Sequence, residues 1–227
     1  MSSPQPRVGV VQFPGSNDDR DALWALAALD AEAVSVWHEE TELPDLDAVV
    51  LPGGFSYGDY LRCGAIARFS PTMSAVADFA DAGGLVLGIC NGFQILCEAG
   101  LLPGVLRPNA SLSFVCRDVT VRVERGDTPF TSRCHEGQRL VIPVKHHDGA
   151  WFAPQELVAR DQIVLRYCEP VNGSLYDVAG VVNERGNVMG LMPHPEHAVD
   201  PLLGSADGAL ILASLVDAAR DRVLAGV

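Results

Sequence analysis

The stretch Gly88-Ile-Cys90-Asn-Gly92 places a cysteine between two glycines. It closes an apolar run, Leu85–Ile89, and opens a helical pattern, so Cys90 is predicted at a sharp strand-to-helix turn. Such a turn exposes the central side chain, and the N-terminus of the next helix stabilises a thiolate. The backbone N–H of Asn91 would then point toward a developing oxyanion. The alternative is a small buried cysteine whose glycine neighbours serve packing alone.

A thiolate nucleophile needs a general base, and a third group orients that base. Of the six histidines, only His194 lies in a stretch that holds it beside a carboxylate, Met192-Pro-His-Pro-Glu196. The two prolines fix φ and favour extended neighbours, so His194 and Glu196 are predicted to project to the same side. Glu196 would accept from one ring nitrogen while the other faces Cys90. Taken alone, the stretch also fits a proline-rich turn with surface charges.

Two further features favour oxyanion or substrate binding. Gly53-Gly54 directly follows the apolar run Ala48–Leu51, where an unhindered N–H could complete an oxyanion hole; a plain turn fits equally well. Gln94 falls four residues after Cys90, on the same helix face, and could offer its amide to a substrate. A buried or surface amide is the default for a single glutamine.

Metal binding is not predicted. His146-His147-Asp148 and His194-x-Glu196-His197 contain possible ligands, but neither has an H-E-x-x-H or C-x-x-C spacing. The remaining cysteines show no spacing typical of a site and are predicted to be packing residues: Cys63, Cys97, Cys116, Cys134 and Cys168.

Composition narrows the class of protein. The 227 residues carry 16 Lys+Arg against 29 Asp+Glu, a formal net charge of −13, with no basic block. Nucleic-acid binding is therefore not expected, because phosphate recognition needs clustered basic residues. The N-terminus has no apolar signal region, and no apolar run reaches the length of a membrane span. We expect a soluble, cytoplasmic protein with reduced thiols and no membrane partner.

The hydrophobic pattern of the first half of the chain predicts the strands and helices that position these residues. Short apolar runs at Arg7–Gln12, Ala33–Trp37, Ala48–Leu51 and Leu85–Ile89 alternate with helical patterns, of which the first opens on Asp18, Asp19 and Asp21 and another covers 71–82. This alternation predicts an α/β fold with a doubly wound, mainly parallel sheet flanked by helices, whose ligands lie beyond the carboxyl ends of the strands.

The second half predicts an antiparallel extension. Val119–Val123 alternates apolar and polar residues, Val181-Val182 and Val188-Met189 flank a turn, and Ser205–Leu224 reads as a closing helix. The chain lacks internal repeats and low-complexity linkers, so one domain over residues 1–227 is predicted.

The motifs around Cys90 and His194 resemble the class I glutamine amidotransferase family, whose flavodoxin-like glutaminase domains use a Cys-His-Glu triad. More specifically, the chain is similar to glutaminase subunits that serve purine biosynthesis. The segments that carry this likeness run from Pro14 to Gly208 and include Trp37-His-Glu-Glu40, Pro52–Ala67, Val181-Val-Asn-Glu184 and Leu203–Gly208. This resemblance covers nearly the whole chain.

The resemblance implies a function and roles for individual residues. The subunit would hydrolyse glutamine and pass ammonia to a large ATP-dependent synthetase subunit, which converts formylglycinamide ribonucleotide to formylglycinamidine ribonucleotide; a small third subunit would bridge the two. Cys90 would be the nucleophile, His194 the base and Glu196 its orienting carboxylate. Gly54, Asn91, Gln94 and His146 would bind the oxyanion or the substrate. The subunit itself would need no cofactor, with ATP and Mg confined to the synthetase.

Two positions depart from the family pattern. His147 stands where members have glycine, in a segment that contacts glutamine, and His197 stands where they have arginine. His197 adjoins the triad, so the pH profile is expected to differ.

Two other functions stay open. A free-standing cysteine hydrolase would also have a reactive Cys90 but would need no partner, and a non-enzymatic flavodoxin-like module would have an inert Cys90.

Overall fold

A computed structural model describes residues 4–154 and 160–225. Its strands, numbered in chain order, are β1 (Arg7–Gln12), β2 (Glu32–Trp37), β3 (Ala48–Leu51), β4 (Leu85–Ile89), β5 (Val105–Arg107), β6 (Val115–Val123), β7 (Arg139–His146), β8 (Ala150–Phe152), β9 (Ile163–Tyr167), β10 (Val178–Val182) and β11 (Val188–Leu191). Its α-helices are α1 (Asp19–Ala28), α2 (Pro71–Asp81), α3 (Asn91–Glu98) and α4 (Gly208–Ala225).

Nine of these strands form one sheet in the order β2-β1-β3-β4-β11-β10-β9-β6-β7. The pairs from β2 through to β11 are parallel, and the pairs from β11 through to β7 are antiparallel. β5 and β8 form a separate antiparallel pair. β3, β4, β10 and β11 are buried along their whole length, as expected for central strands covered on both faces.

One edge of the sheet gathers the segments of interest. β1, β3, β4 and β11 are mutually parallel, and the alternating pairings from β11 onward give β7 the same direction. Their carboxyl ends therefore meet at a single edge, which is where ligands bind in open α/β sheets. Gly53 follows β3, Cys90 follows β4, His194 follows β11 and His147 follows β7.

The helices complete the fold around this sheet. α3 leaves directly from β4 and packs against β4 and β11, whereas α4 contacts α1 and the short 3-10 turn Pro195–His197. The closing helix thus braces the segment that carries His194. In the part of the chain that the structure describes, no helix has the length and apolar character needed to cross a membrane.

Most of the predicted elements are confirmed. β1, β3 and β4 have the predicted bounds, and the hairpin of β10 and β11 pairs Val182 with Met189 across the predicted turn. Other boundaries differ by a few residues: the second predicted strand starts at Glu32, β6 starts at Val115, and the closing helix starts at Gly208. The sequence pattern did not predict four strands, β5, β7, β8 and β9.

Candidate active site

Cys90 lies on a sharp, strained turn between β4 and α3. Its φ of 50° combined with ψ of −101° lies outside the regions that residues with a side chain normally adopt. The flanking glycines make the turn possible: a Cβ on Gly88 would lie 2.7 Å from the Gly92 carbonyl oxygen, and one on Gly92 would overlap the Leu51 carbonyl. The geometry is that of a nucleophile elbow, as the Gly-x-Cys-x-Gly spacing predicts.

The thiol of Cys90 is 5% exposed and stands at the N-cap position of α3. The first backbone N–H groups of a helix lack intrahelical acceptors and carry a partial positive charge. A thiolate or an oxyanion at this place is therefore electrostatically favoured. Cys90 Sγ also lies 3.7 Å from the carbonyl oxygen of Lys145, which fixes the thiol beside the end of β7.

His194 and Glu196 form a buried pair next to this turn. His194 Nδ1 lies 2.6 Å from Glu196 Oε1, and both residues are 1% exposed. The 3-10 turn Pro195–His197 brings them together, so the predicted proximity arises from a turn and not from the extended segment that the prolines suggested. Because Nδ1 is bound to Glu196, Nε2 is the nitrogen left for chemistry, and the side chain of Cys90 interacts with the same ring.

The surroundings of His194 favour its protonated form. Burial alone lowers the pKa of His194, but the negative charges of Glu196 and the Cys90 thiolate outweigh burial and raise this pKa to about 10. The imidazolium therefore persists at neutral pH while a thiolate is nearby. A paired thiolate and imidazolium is the resting state that nucleophilic attack by cysteine requires.

A second charged group, not foreseen in the sequence, adjoins this pair. Asp18 is 3% exposed; its Oδ1 forms an ion pair with Lys145 Nζ and lies 3.2 Å from His197 Nε2, while its Oδ2 lies 3.6 Å from His194 Nδ1. Burial opposes ionisation of Asp18, but His197, His194 and Lys145 together hold its pKa well below the usual range. The three aspartates near the start of α1 predicted only a helix N-terminus. In the structure, Asp18 instead lines the pocket beside His194.

These side chains also meet the distance requirement of a metal site. Ligand atoms of Asp18, His194, Glu196 and His197 all lie within 4.8 Å of one another. However, the ammonium of Lys145 is already bound to Asp18, and Glu196 is bound to His194. A protein cation thus already neutralises the carboxylate of Asp18, and the expectation that this chain holds no metal stays a prediction.

A pocket at the edge of the sheet connects the predicted site residues. Cys90, His194, Gly54, Gln94 and His146 all line it. The structure therefore brings together the residues that follow β3, β4, β7 and β11. Two other predicted residues support the pocket from outside its lining, Glu196 behind His194 and Asn91 at the start of α3.

Asn91 and Gln94 bind protein groups with their amides. Asn91 Oδ1 accepts from the backbone N–H of Ser56 at 3.1 Å, and its Nδ2 donates to Gln94 Oε1 at 2.8 Å. Gln94 Nε2 in turn donates to the carbonyl oxygen of Asp148 at 2.6 Å. The two side chains thus tie the loops after β3 and β7 to α3. The role of the Asn91 backbone N–H as an oxyanion donor stays a prediction.

Gly54 has a backbone conformation that no other residue could adopt without strain. Its φ is 150°, and a Cβ would lie 2.6 Å from the Gly15 carbonyl oxygen and 2.7 Å from the Asn17 backbone nitrogen. Glycine here lets the loop after β3 approach the loop after β1 closely. The close approach places Gly54 on the pocket wall, as an oxyanion contact requires.

The hydrogen bonds of His146 fix its tautomer. Asn109 Nδ2 donates to the carbonyl oxygens of Ser113 and His146, so Asn109 Oδ1 must accept, both from Gly149 N–H and from His146 Nδ1. His146 Nε2 is therefore a bare acceptor, and it is buried with no partner in the described ranges. Burial, aided by the charge of His194, lowers the pKa of His146 to about 4. A neutral acceptor can bind a substrate N–H but cannot stabilise an oxyanion.

Cys63 also lines the pocket but is not suited to be a nucleophile. Its Sγ lies 3.2 Å from both Asp59 Oδ2 and Asp148 Oδ2, and its single S–H is shared between these two acceptors. Burial and these carboxylates raise the pKa of Cys63, so the thiol stays protonated. The prediction that all five other cysteines are packing residues is wrong for Cys116 and Cys168, which are exposed on the outer face of the sheet extension.

His147 and His197, the two histidines expected to depart from the family pattern, differ in their placement. The side chain of His147 is exposed, with Nδ1 3.4 Å from Asp148 Oδ1, while its carbonyl oxygen accepts from Asn109 N–H. His147 also lines the pocket, so it borders the space proposed for the substrate. His197 is part of the charged group around Asp18.

Comparison with known proteins agrees with this geometry. A sequence profile of the CobB/CobQ-like glutamine amidotransferase domain matches residues 5–207. The phosphoribosylformylglycinamidine synthase subunit PurQ of Rubrobacter xylanophilus is 58% identical over 218 residues, which cover 94% of this chain and 99% of that protein. The subunit of the same name from Salinibacter ruber is 56% identical over 225 residues, covering 93% of this chain and 96% of that protein.

Solved structures give the same result. A chain in the structure of PurLQS from Thermotoga maritima superposes with a TM-score of 0.89 at 46% identity, covering 94% of this chain and 99% of that chain. A glutamine amidotransferase from the same organism, at 16% identity and a TM-score of 0.62, shares the fold. The fold is that of the class I glutamine amidotransferases. This chain belongs to the glutamine amidotransferase family and, within it, to the PurQ subunits.

Proposed function

We propose that this chain is the glutaminase subunit of a phosphoribosylformylglycinamidine synthase. It hydrolyses glutamine to glutamate and ammonia, and the ammonia is used by a large synthetase subunit, which turns formylglycinamide ribonucleotide into formylglycinamidine ribonucleotide. The relatives that share more than half of their residues with this chain carry the name of that enzyme's subunit. The observation that carries the chemistry is the strained Cys90 beside the buried His194–Glu196 pair.

The proposed reaction begins with attack on the side-chain amide of glutamine. The Cys90 thiolate adds to the amide carbon, and the negative charge that develops on oxygen is stabilised by backbone N–H groups at the start of α3 and at Gly54. Nε2 of the His194 imidazolium then donates its proton to the leaving nitrogen. Ammonia departs, and a γ-glutamyl thioester on Cys90 remains.

Hydrolysis of the thioester returns the site to its resting state. Neutral His194 accepts a proton from water at Nε2, the hydroxide adds to the thioester carbon, and the Cys90 thiolate leaves with glutamate as product. Glu196 holds Nδ1–H throughout, so Nε2 faces the reacting atoms in both steps. One water and one glutamine thus give one glutamate and one ammonia.

Substrate binding is assigned to groups that match the zwitterion. The bare Nε2 of His146 can accept a hydrogen bond from an N–H of glutamine, and the carboxylates of Asp59 and Asp148 line the same pocket. A cationic α-ammonium group suits that negative wall. Gln94 completes the pocket, although its amide nitrogen is already bound to the Asp148 carbonyl.

The proposal assigns no cofactor to this chain; ATP and Mg belong to the synthetase, and a small third subunit bridges the two larger ones. Ammonia released into bulk water would be protonated and lost, which favours enclosure by the synthetase. The PurLQS structure of the Thermotoga maritima relative is consistent with such an assembly. We place the complex in the cytoplasm. Nothing in this assignment involves nucleic acid or a membrane.

The decisive experiment separates glutamine use from ammonia use. Cys90→Ser in the reconstituted complex is expected to abolish glutamine-dependent synthesis and to leave synthesis from added ammonium unchanged. Cys116→Ser is the matched control, since that thiol is exposed and outside the pocket. Loss of both activities in Cys90→Ser would contradict the assignment. Equal glutamine turnover with and without the synthetase would favour a free-standing hydrolase instead.

A further inference from the structure

The Nδ1 edge of the His194 ring faces two carboxylates. Glu196 Oε1 lies 2.6 Å from Nδ1, and Asp18 Oδ2 lies 3.6 Å from the same nitrogen. Both carboxylates are almost fully buried, with side chains 0% and 4% exposed. A carboxylate so close to an imidazolium in a site that excludes water interacts with it strongly.

Gly53 provides the space in which Asp18 reaches the ring. A Cβ on Gly53 would overlap Asp18 Oδ2 and would lie 2.7 Å from His194 Cε1. The Gly53 carbonyl oxygen also accepts the backbone N–H of Asp18 at 3.2 Å. The loop after β3 therefore fixes Asp18 from both its backbone and its side chain, against the histidine.

Asp18 does not serve the helix that follows it. It is the N-cap residue of α1, yet its carboxylate makes no capping hydrogen bond within the described chain. An aspartate at this position ordinarily accepts from the first backbone N–H groups of the helix. Here Oδ1 is instead held by Lys145 Nζ and by His197 Nε2, from β7 and from the 3-10 turn after β11.

We propose that Asp18 is a second positioning carboxylate for His194, clamped in place by Lys145 and His197. This inference rests on the proposed glutaminase function. Glu196 orients Nδ1–H, and Asp18 adds negative charge that stabilises the imidazolium before it protonates the departing nitrogen. Asp18 contacts no reacting atom, so it acts through His194.

His197 contacts both other members of this clamp. Its Nε2 lies 3.2 Å from both Lys145 Nζ and Asp18 Oδ1. When Nε2 is unprotonated it can accept from Lys145, and when it is protonated it can only donate. The charged groups around this nitrogen are Asp18 and Asp21 near α1, Lys145 on β7, and Glu196 beside it in the 3-10 turn. His197 thus lies between the Lys145 ammonium and the carboxylates and helps to hold Asp18 in place.

The test is Asp18→Asn in the reconstituted complex, with glutamate release followed against pH. Asparagine keeps the size of the side chain and is itself a good N-cap residue, so α1 is expected to persist. We expect kcat to fall by about 10- to 100-fold with little change in the KM for glutamine. The alkaline limb of kcat/KM is expected to move to lower pH by about one to three units, because His194 loses a nearby negative charge.

Asp19→Asn is the matched control. It removes the same charge from the next residue, whose carboxylate binds Gln12 and lies outside the pocket lining. Its pH profile is expected to overlay that of the wild type. Ammonium-dependent synthesis is expected to be unchanged in both variants, since neither touches the synthetase reaction.

A double variant guards against a folding defect. Lys145 loses its partner in Asp18→Asn, so Asp18→Asn with Lys145→Met removes both charges together. The alkaline limb is expected to move in the same direction but by less, because loss of the Lys145 cation offsets part of the loss of the Asp18 charge. An alkaline limb that stays at the wild-type pH in Asp18→Asn and in the double variant would overturn the inference, as would equal losses in Asp18→Asn and Asp19→Asn. The proposed function fails separately, if the wild-type complex shows no Cys90-dependent glutamine use.

Discussion

The strongest prediction concerns Glu196, whose carboxylate is the main partner of the catalytic base. Glu196→Gln keeps the shape of the side chain and leaves an oxygen that can accept from His194 Nδ1, 2.6 Å away in the wild type. What it removes is the negative charge. The substitution therefore isolates the electrostatic contribution of Glu196 to the imidazolium from its contribution to orientation.

The size of the effect follows from burial and distance. Both side chains are essentially inaccessible to water. Two opposite charges about 4 Å apart in an effective dielectric of about 20 attract by about 4 kcal/mol. Because about 1.4 kcal/mol corresponds to a tenfold change in rate, loss of this attraction is expected to slow the chemical step by about 1000-fold. The pKa of His194, raised to about 10 in the wild type, is expected to fall.

The assay is glutamate release by the reconstituted complex, measured as kcat and kcat/KM across pH. Ammonium-dependent synthesis in the same preparation is the internal control and is expected to be unaffected. A loss smaller than tenfold, with the alkaline limb of kcat/KM at the wild-type pH, would refute the view that Glu196 acts by stabilising the imidazolium. A large loss with an unchanged alkaline limb would leave only an orienting role.

Burial holds the pKa of His146 at about 4 in the folded protein, so the unfolded chain binds protons preferentially as pH falls from 6.5 to 4, and the free energy of unfolding should decrease by about 3 kcal/mol. Urea unfolding of His146→Gln is expected to show a flatter dependence on pH. Parallel curves for the variant and the wild type would contradict this. Gly92→Ala would push a methyl group into the Leu51 carbonyl, and we expect a loss of about 1–3 kcal/mol in urea unfolding together with loss of glutaminase activity. Because Cys63 is held protonated by its neighbours, Cys63→Ser should still be labelled once per chain, at Cys90, by a glutamine-like diazo-ketone; mass spectrometry that finds no label at Cys90 would refute the assignment.

Local sequence was sufficient for the elements on which the nucleophile stands. β1, β3 and β4 are short apolar runs with turn residues at both ends, so pattern alone fixed their bounds. The elbow at Cys90 could be read from its two glycines, since only glycine tolerates the close approach of Gly88 to Gly92 and of Gly92 to Leu51. Likewise, the proximity of His194 and Glu196 is local, two residues apart on one turn.

Contacts between distant segments could not be read in this way. Asp18 looked like an ordinary helix-start aspartate, and Lys145, on a strand that local pattern did not reveal, carried no signal at all. They meet because β1, β3, β7 and β11 end at one edge of the sheet, which brings Asp18 within reach of residues 127 positions away. The sequence by itself determined the sharp turn at Cys90 and the proximity of His194 to Glu196. Only the tertiary structure decided which charges surround them, because electrostatic interaction depends on distance in space, and sheet order sets that distance.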